Sequence, residues 1–124
     1  MRTYLVVSLF IFKSAFAFAQ QADLLFLDNT HKFPKTLAGI TLTHNFKFVN
    51  TGDAPLVINE AKVTCTCTSI NYPKTPIMPT DTAQLVVTFN TSEVYGWQDR
   101  IVNIKSNAKS GDKNIRFKVM VKAK

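Results

Sequence analysis

From Ile40 to Asn50 the chain alternates without a break. Ile40, Leu42, His44, Phe46 and Phe48 share one parity, and Thr41, Thr43, Asn45 and Lys47 share the other. Side chains two apart on an extended backbone point to the same face, so this period predicts a strand with one face buried and one in water. Such a strand needs a second layer to cover its apolar face. The rest of the chain offers that layer as further strands, with no segment of helical period.

Leu24 to Leu27 is a short apolar run, expected as a first strand. Asn29 to Gly39 contains Pro34 and Gly39 and reads as an irregular edge or loop. Asn50-Thr51-Gly52-Asp53 reads as a turn, with Gly or Asn available for positive φ. In Pro55 to Val63, Leu56, Ile58 and Ala61 are expected to face inward. Val63 to Ile70 is rich in β-branched residues and holds both cysteines. Tyr72 to Pro79 carries Pro73, Pro76 and Pro79 and can only be a loop or an edge. Thr82 to Asn90, Trp97 to Ser106 and Lys113 to Lys122 complete the set, the last two joined by a hairpin loop over 107–112. About seven strands with turn signals every ten residues or so fit an all-β, immunoglobulin-like sandwich with Greek-key connections.

The 124 residues allow one core. Residues 1–19 read as an export signal: basic Arg2, an apolar stretch from Tyr4 to Phe12, and the small-x-small end Ala17-Phe18-Ala19. The apolar run falls short of the roughly 20 residues that a spanning helix needs. The expected organisation is therefore a signal peptide over 1–19 and one sandwich domain over 20–124, periplasmic or secreted and not transmembrane after processing. The formal charge falls from +7 to +5 on cleavage, because the segment carries Arg2 and Lys13 and no acid. The remaining cations alternate with apolar residues rather than forming a block, which argues against specific nucleic-acid binding.

Cys65-Thr66-Cys67 is the pair most able to carry chemistry. On a straight strand both thiols share a face, but their Cα atoms lie about 6.4–6.8 Å apart, at the outer edge of disulfide geometry. A bridge therefore requires a bend. Two free thiols and a two-thiolate site for a soft ion, Cu(I) most naturally, remain open as well. His44 and Met78 are the candidate additional metal ligands, with His31 and Met120 behind them. His44 shares the phase of Phe46 and Phe48, which suggests a histidine at the core margin, and His31 is expected in a loop. The acids form no obvious pair, and no nucleophile motif or phosphate loop is present, so no catalytic residue is assigned and enzyme activity is not expected. Trp97 is expected in the core.

The order of motifs resembles the bacterial family known as domain of unknown function 1573. The residues that carry the likeness are His44-Asn-Phe46-Lys-Phe48-Val-Asn50-Thr-Gly52, Ala54-Pro-Leu-Val-Ile58, Cys65-Thr-Cys67-Thr68 and Pro76-Ile-Met-Pro79. Leu85 to Thr91, Gly96 and Ile101 to Asn107 follow in the same order. The resemblance implies an immunoglobulin-like fold, export behind a signal peptide and no established activity, with similarity to scaffold modules of cilia-associated and sperm-protein-like domains. Thr66 stands where the family usually has Gly, and Thr80 where it usually has the Gly of Pro-Gly. Both departures argue against tight bends at those positions. The expected function is an exported, non-catalytic module that binds an unknown protein or cell-envelope component, by edge-strand addition for instance. The alternative is a periplasmic copper- or redox-handling protein that uses the Cys-x-Cys pair.

Overall fold

A computed structural model describes residues 19–124. The expected export signal lies outside the described residues but for its last position. The described chain is all-β, with nine strands: β1 (Leu24–Phe26), β2 (Thr30–Lys32), β3 (Thr36–Leu37), β4 (Thr41–Asn50), β5 (Ile58–Lys62), β6 (Thr68–Asn71), β7 (Thr82–Asn90), β8 (Gly96–Ser106) and β9 (Lys113–Lys122). They form an immunoglobulin-like sandwich. Sheet one has the order β1-β4-β7-β6, and sheet two the order β2-β9-β8-β5, with β3 also on β9.

The alternation of β4 does what its period predicts. Phe46 and Phe48 are fully buried, while Thr43, Asn45 and Lys47 face solvent. On the antiparallel neighbour β7, Leu85, Val87 and Phe89 are fully buried too. Sheet two answers with Val102, Ile104, Ile115, Phe117 and Val119, and Phe89 meets Phe117 across the layers with ring centroids 5.3 Å apart. On β5 a register shift between Ile58 and Glu60 accounts for an odd spacing. The extra residue of this bulge lets both Ile58 and Ala61 turn toward the core.

Two segments differ from expectation. Residues 29–39 are not a free loop, because β2 and β3 each pair in parallel with β9. Phe33 and Ala38 extend that pairing, donating their N–H groups to the carbonyls of Lys118 and Lys122 at 2.8 Å each. Pro34, which has no N–H to give, falls in the gap between the two short strands. The cysteine segment is not a strand either. Pairing begins only at Thr68, and residues 63–67 carry the chain from β5 in sheet two to β6 in sheet one.

The turn after β4 is built around Asn50, which is fully buried. Its Nδ2 donates to the carbonyls of Ala54 and Ile77 at 2.8 and 2.9 Å, and its Oδ1 accepts from Gly52 N at 2.9 Å and Asp23 N at 3.3 Å. Gly52 is needed for space rather than for a positive φ. A Cβ there would overlap the backbone of Gln21, Ala22 and Asp23, which crosses directly above it. That crossing segment is also held from the far side, where Lys109 N donates to Ala22 O at 2.8 Å and Ser110 Oγ to Asp23 Oδ1 at 2.5 Å.

Asn50→Asp replaces a donor aimed at two carbonyls with a third acceptor. It is expected to cost about 3–5 kcal/mol in urea unfolding, since buried groups lose their partners.

Thr80 corrects the expectation drawn from its residue type. The tight turn is present, with Thr80 at φ 70°, its N–H donating to Asn50 O at 2.9 Å. The tertiary bonds around Asn50 outweigh the local preference of a β-branched residue. Thr80→Gly is therefore expected to stabilise the fold, by about 0.5–1 kcal/mol after the unfolded-state entropy of Gly is counted, read as a raised urea midpoint with unchanged slope.

Candidate functional site

Three places carry chemistry. The first is the bend between the sheets, where Cys65 and Cys67 are joined as a disulfide with Cα atoms 5.2 Å apart. The bend brings them closer than a straight strand allows. Thr68 N bonds Cys65 O at 3.2 Å, and Cys67 N points at Cys65 Sγ at 3.3 Å. Thr66 makes this turn without a positive φ, so glycine is not required between the cysteines. The bend borders an open cleft of about 460 Å³ whose lining includes Thr66, Ser69, Thr88, Asn90 and Glu93.

Neither additional ligand expected for this pair comes near it. Asn90 N donates to Cys67 O at 2.8 Å, which places the bend at the Thr41 end of β4. Met78 sits beside the Thr80–Asn50 contact at the other end. The 10 residues of β4 separate these ends by roughly 30 Å. His44 lies two strands across and about three residues along from Cys67, on the order of 14 Å away. Instead, His44 has another partner.

The second place is a cluster where sheet one meets sheet two. His44 on β4 stacks on His31 of β2, ring centroids 3.6 Å apart and planes 11° from parallel. His31 is thus a strand residue, not a loop residue. Phe33 packs nearly perpendicular to His31, ring centroids 4.5 Å apart, and Phe46 to His44 at 4.6 Å. Asp28, in the connection from β1 to β2, brings Oδ2 to 3.5 Å from His44 Nε2, too long for a hydrogen bond. His44 Nε2 is buried and has no hydrogen-bond partner. Burial first, and His44 second, hold the His31 imidazole below its ordinary pKa, against the opposing pull of Asp28.

The third place lies on the outer face of sheet two. Trp97 is 63% exposed, not in the core. It pairs with Met120 on β9, and Lys32 Nζ sits 5.5 Å from its ring centroid. With Phe33, Pro34 and Lys35 they line a groove of about 440 Å³. Lys118 and Asp99 continue the surface. Asp99 is engaged by Arg116 through two bonds of 2.6 and 2.5 Å, which hold its carboxyl below the usual carboxylate range. Trp97 shares the parity of Asp99, Asn103 and Lys105, a polar phase that was present in the sequence. His31 and Phe33 form a similar short alternation.

The family profile described as Protein of unknown function (DUF1573) matches residues 24–121. The chain belongs to this family. The motif order from His44 to Asn107 thus identified its family correctly. Among solved structures, this DUF1573 domain is similar to a protein of unknown function from Porphyromonas gingivalis W83, at 17% identity and a TM-score of 0.72. The match covers 86% of this chain and 50% of that one, so the chain spans about half the length of that relative. It is also similar to the ASH/PapD-like domain 7 of human CEP192, at 10% identity and a TM-score of 0.66, over 84% of this chain and 88% of that one. A third similar structure is the YadV chaperone, at 12% identity and a TM-score of 0.58, over 80% and 52% of the respective chains. At these identities the likeness shows the fold alone. No curated protein matches the sequence.

Closing so short a loop restricts the unfolded chain little, by about 1–2 kcal/mol on a loop-entropy argument. Replacing both cysteines by Ser should therefore leave a folded domain that is destabilised by no more than about 2 kcal/mol, measured by urea unfolding without reductant.

Proposed function

We propose that this chain is an exported, non-catalytic interaction module that docks a negatively charged protein or cell-envelope component on the outer face of sheet two. The observation that carries the reading is Trp97, a large ring left 63% exposed beside Met120 and under the Lys32 ammonium. An exposed aromatic rimmed by cations is a place where contact area and charge act together. Lys32, Lys35 and Lys118 supply the positive field, while Asp99, the acid of this surface, is already bound to Arg116.

The strand edges favour a face over an edge as the docking surface. The outer strands β1, β2 and β6 have three, three and four residues, and β5 has five and a bulge. Such edges give an added peptide few backbone bonds. A non-catalytic role is supported by the side chains themselves. Cys65 and Cys67 are bonded to each other, and the histidines stack on one another at a distance from them.

Trp97 is the only tryptophan in the sequence, so its fluorescence reports on this surface alone. Titration with polygalacturonate or a poly-glutamate peptide at low salt should shift the emission to the blue and saturate, while neutral dextran should leave it unchanged. The Lys32→Glu/Lys118→Glu variant should lose at least about tenfold in apparent affinity for the polyanions. An emission spectrum that ignores both of them would remove the support for this face.

A further inference from the structure

We propose that Asp28, His31 and His44 form a site for a divalent first-row metal ion of the Zn²⁺ class at the seam between the two sheets. The three residues come from three segments. His44 belongs to sheet one, His31 to sheet two, and Asp28 to the connection that crosses from one to the other. Their candidate ligand atoms all lie within 4.8 Å of one another. A tetrahedral ion with bonds of about 2.0–2.1 Å wants its donors roughly 3.3 Å apart. The pair of His44 Nε2 and Asp28 Oδ2, at 3.5 Å, is already near that spacing.

The donor set selects the ion class. Two imidazole nitrogens and one carboxylate suit Zn²⁺ and its borderline neighbours, whereas Ca²⁺ and Mg²⁺ prefer sites made of oxygen. The carboxylate balances part of the ion's charge. Three protein ligands leave at least one coordination position for water or a group from another molecule.

The second observation is His44 Nε2 itself, a buried polar atom with no hydrogen-bond partner. Leaving such an atom unpaired is costly, and a coordinate bond satisfies it. The surroundings are suited to holding ligands in place. Phe33 and Phe46 pack nearly perpendicular to the two imidazoles, and Asp28 on the third side is exposed to solvent. Binding requires one movement. Imidazole lone pairs lie in the ring plane, and two rings 11° from parallel at 3.6 Å cannot both aim at one point near them. One ring must tilt about χ2, a broad torsion. His31, on a strand of three residues, is the more easily turned.

The site owes nothing to the cysteines or to the Trp97 face, which makes its test separable from theirs. Protein stripped with chelator and dialysed is titrated with Zn²⁺ by calorimetry and with Co²⁺ by visible absorption. The expected result is one ion per chain, a raised melting temperature with Zn²⁺, and Co²⁺ ligand-field bands without thiolate charge transfer. Asp28→Asn, at an exposed position that does not threaten folding, should weaken Zn²⁺ binding at least about tenfold, as should His31→Gln. The Cys65→Ser/Cys67→Ser variant should bind with unchanged affinity. Absence of saturable Zn²⁺ binding overturns the proposal. So does unchanged affinity in both Asp28→Asn and His31→Gln, or a Co²⁺ spectrum dominated by thiolate that the cysteine variant loses.

Discussion

The side-chain amide of Asn50 is the contact on which the sandwich turns. All its bonding capacity is used by backbone groups of the crossing segment, of its own turn, and of the proline loop before β7. A buried amide satisfied in this way fixes three chain segments relative to one another, which apolar packing alone would leave free to slide. Gly52 exists so that the crossing segment can approach, and Thr80 accepts an unfavourable backbone angle so that the same turn can close. At the opposite end of β4, Thr91 plays a similar part, its Oγ1 donating to Ile40 O at 2.6 Å and accepting from Ile40 N at 2.9 Å. The two ends of one strand are thus pinned by buried polar groups, and the phenylalanines between them can pack in a single register.

The long strands were legible because their alternation is local. β4, β7, β8 and β9 each carry nine or more residues, enough for the period to declare which face is buried. What was not legible depends on distant partners. Residues 29–39 have no strong period of their own, and become strands only because β9 offers them a free edge. The same pairing carries His31 to His44, so of that cluster only the inward phase of His44 could be read. Trp97 misled because Trp is usually well buried, although the polar residues in phase with it marked the outer face. The cysteine bend was obscured by β-branched neighbours, whose preference for extended structure yields to the need to cross between sheets.

The two surfaces with chemical character lie on different parts of the domain. The histidine cluster joins the layers at an edge, where the chain passes from one sheet to the other. The Trp97 groove lies on the outside of sheet two, where the side chains of β8 and β9 and the bend at Pro34 enclose it. Phe33 lies between them: its ring packs against His31 and Phe117, and the residue borders the groove.

The parallel pairing of β2 and β3 with β9 also sets an order of events. Thr30 pairs with Arg116 and Thr36 with Val121, contacts that span more than two-thirds of the sequence. Such distant pairing is slow to form. More specifically, β1 can pair with β4 early, but β2 and β3 have no strand to dock on until the last one exists. A chain delivered from its N-terminus, by a ribosome or through a narrow channel, cannot complete this sandwich part-way. The second sheet stays incomplete until β9 has emerged, and β2 and β3 join it last.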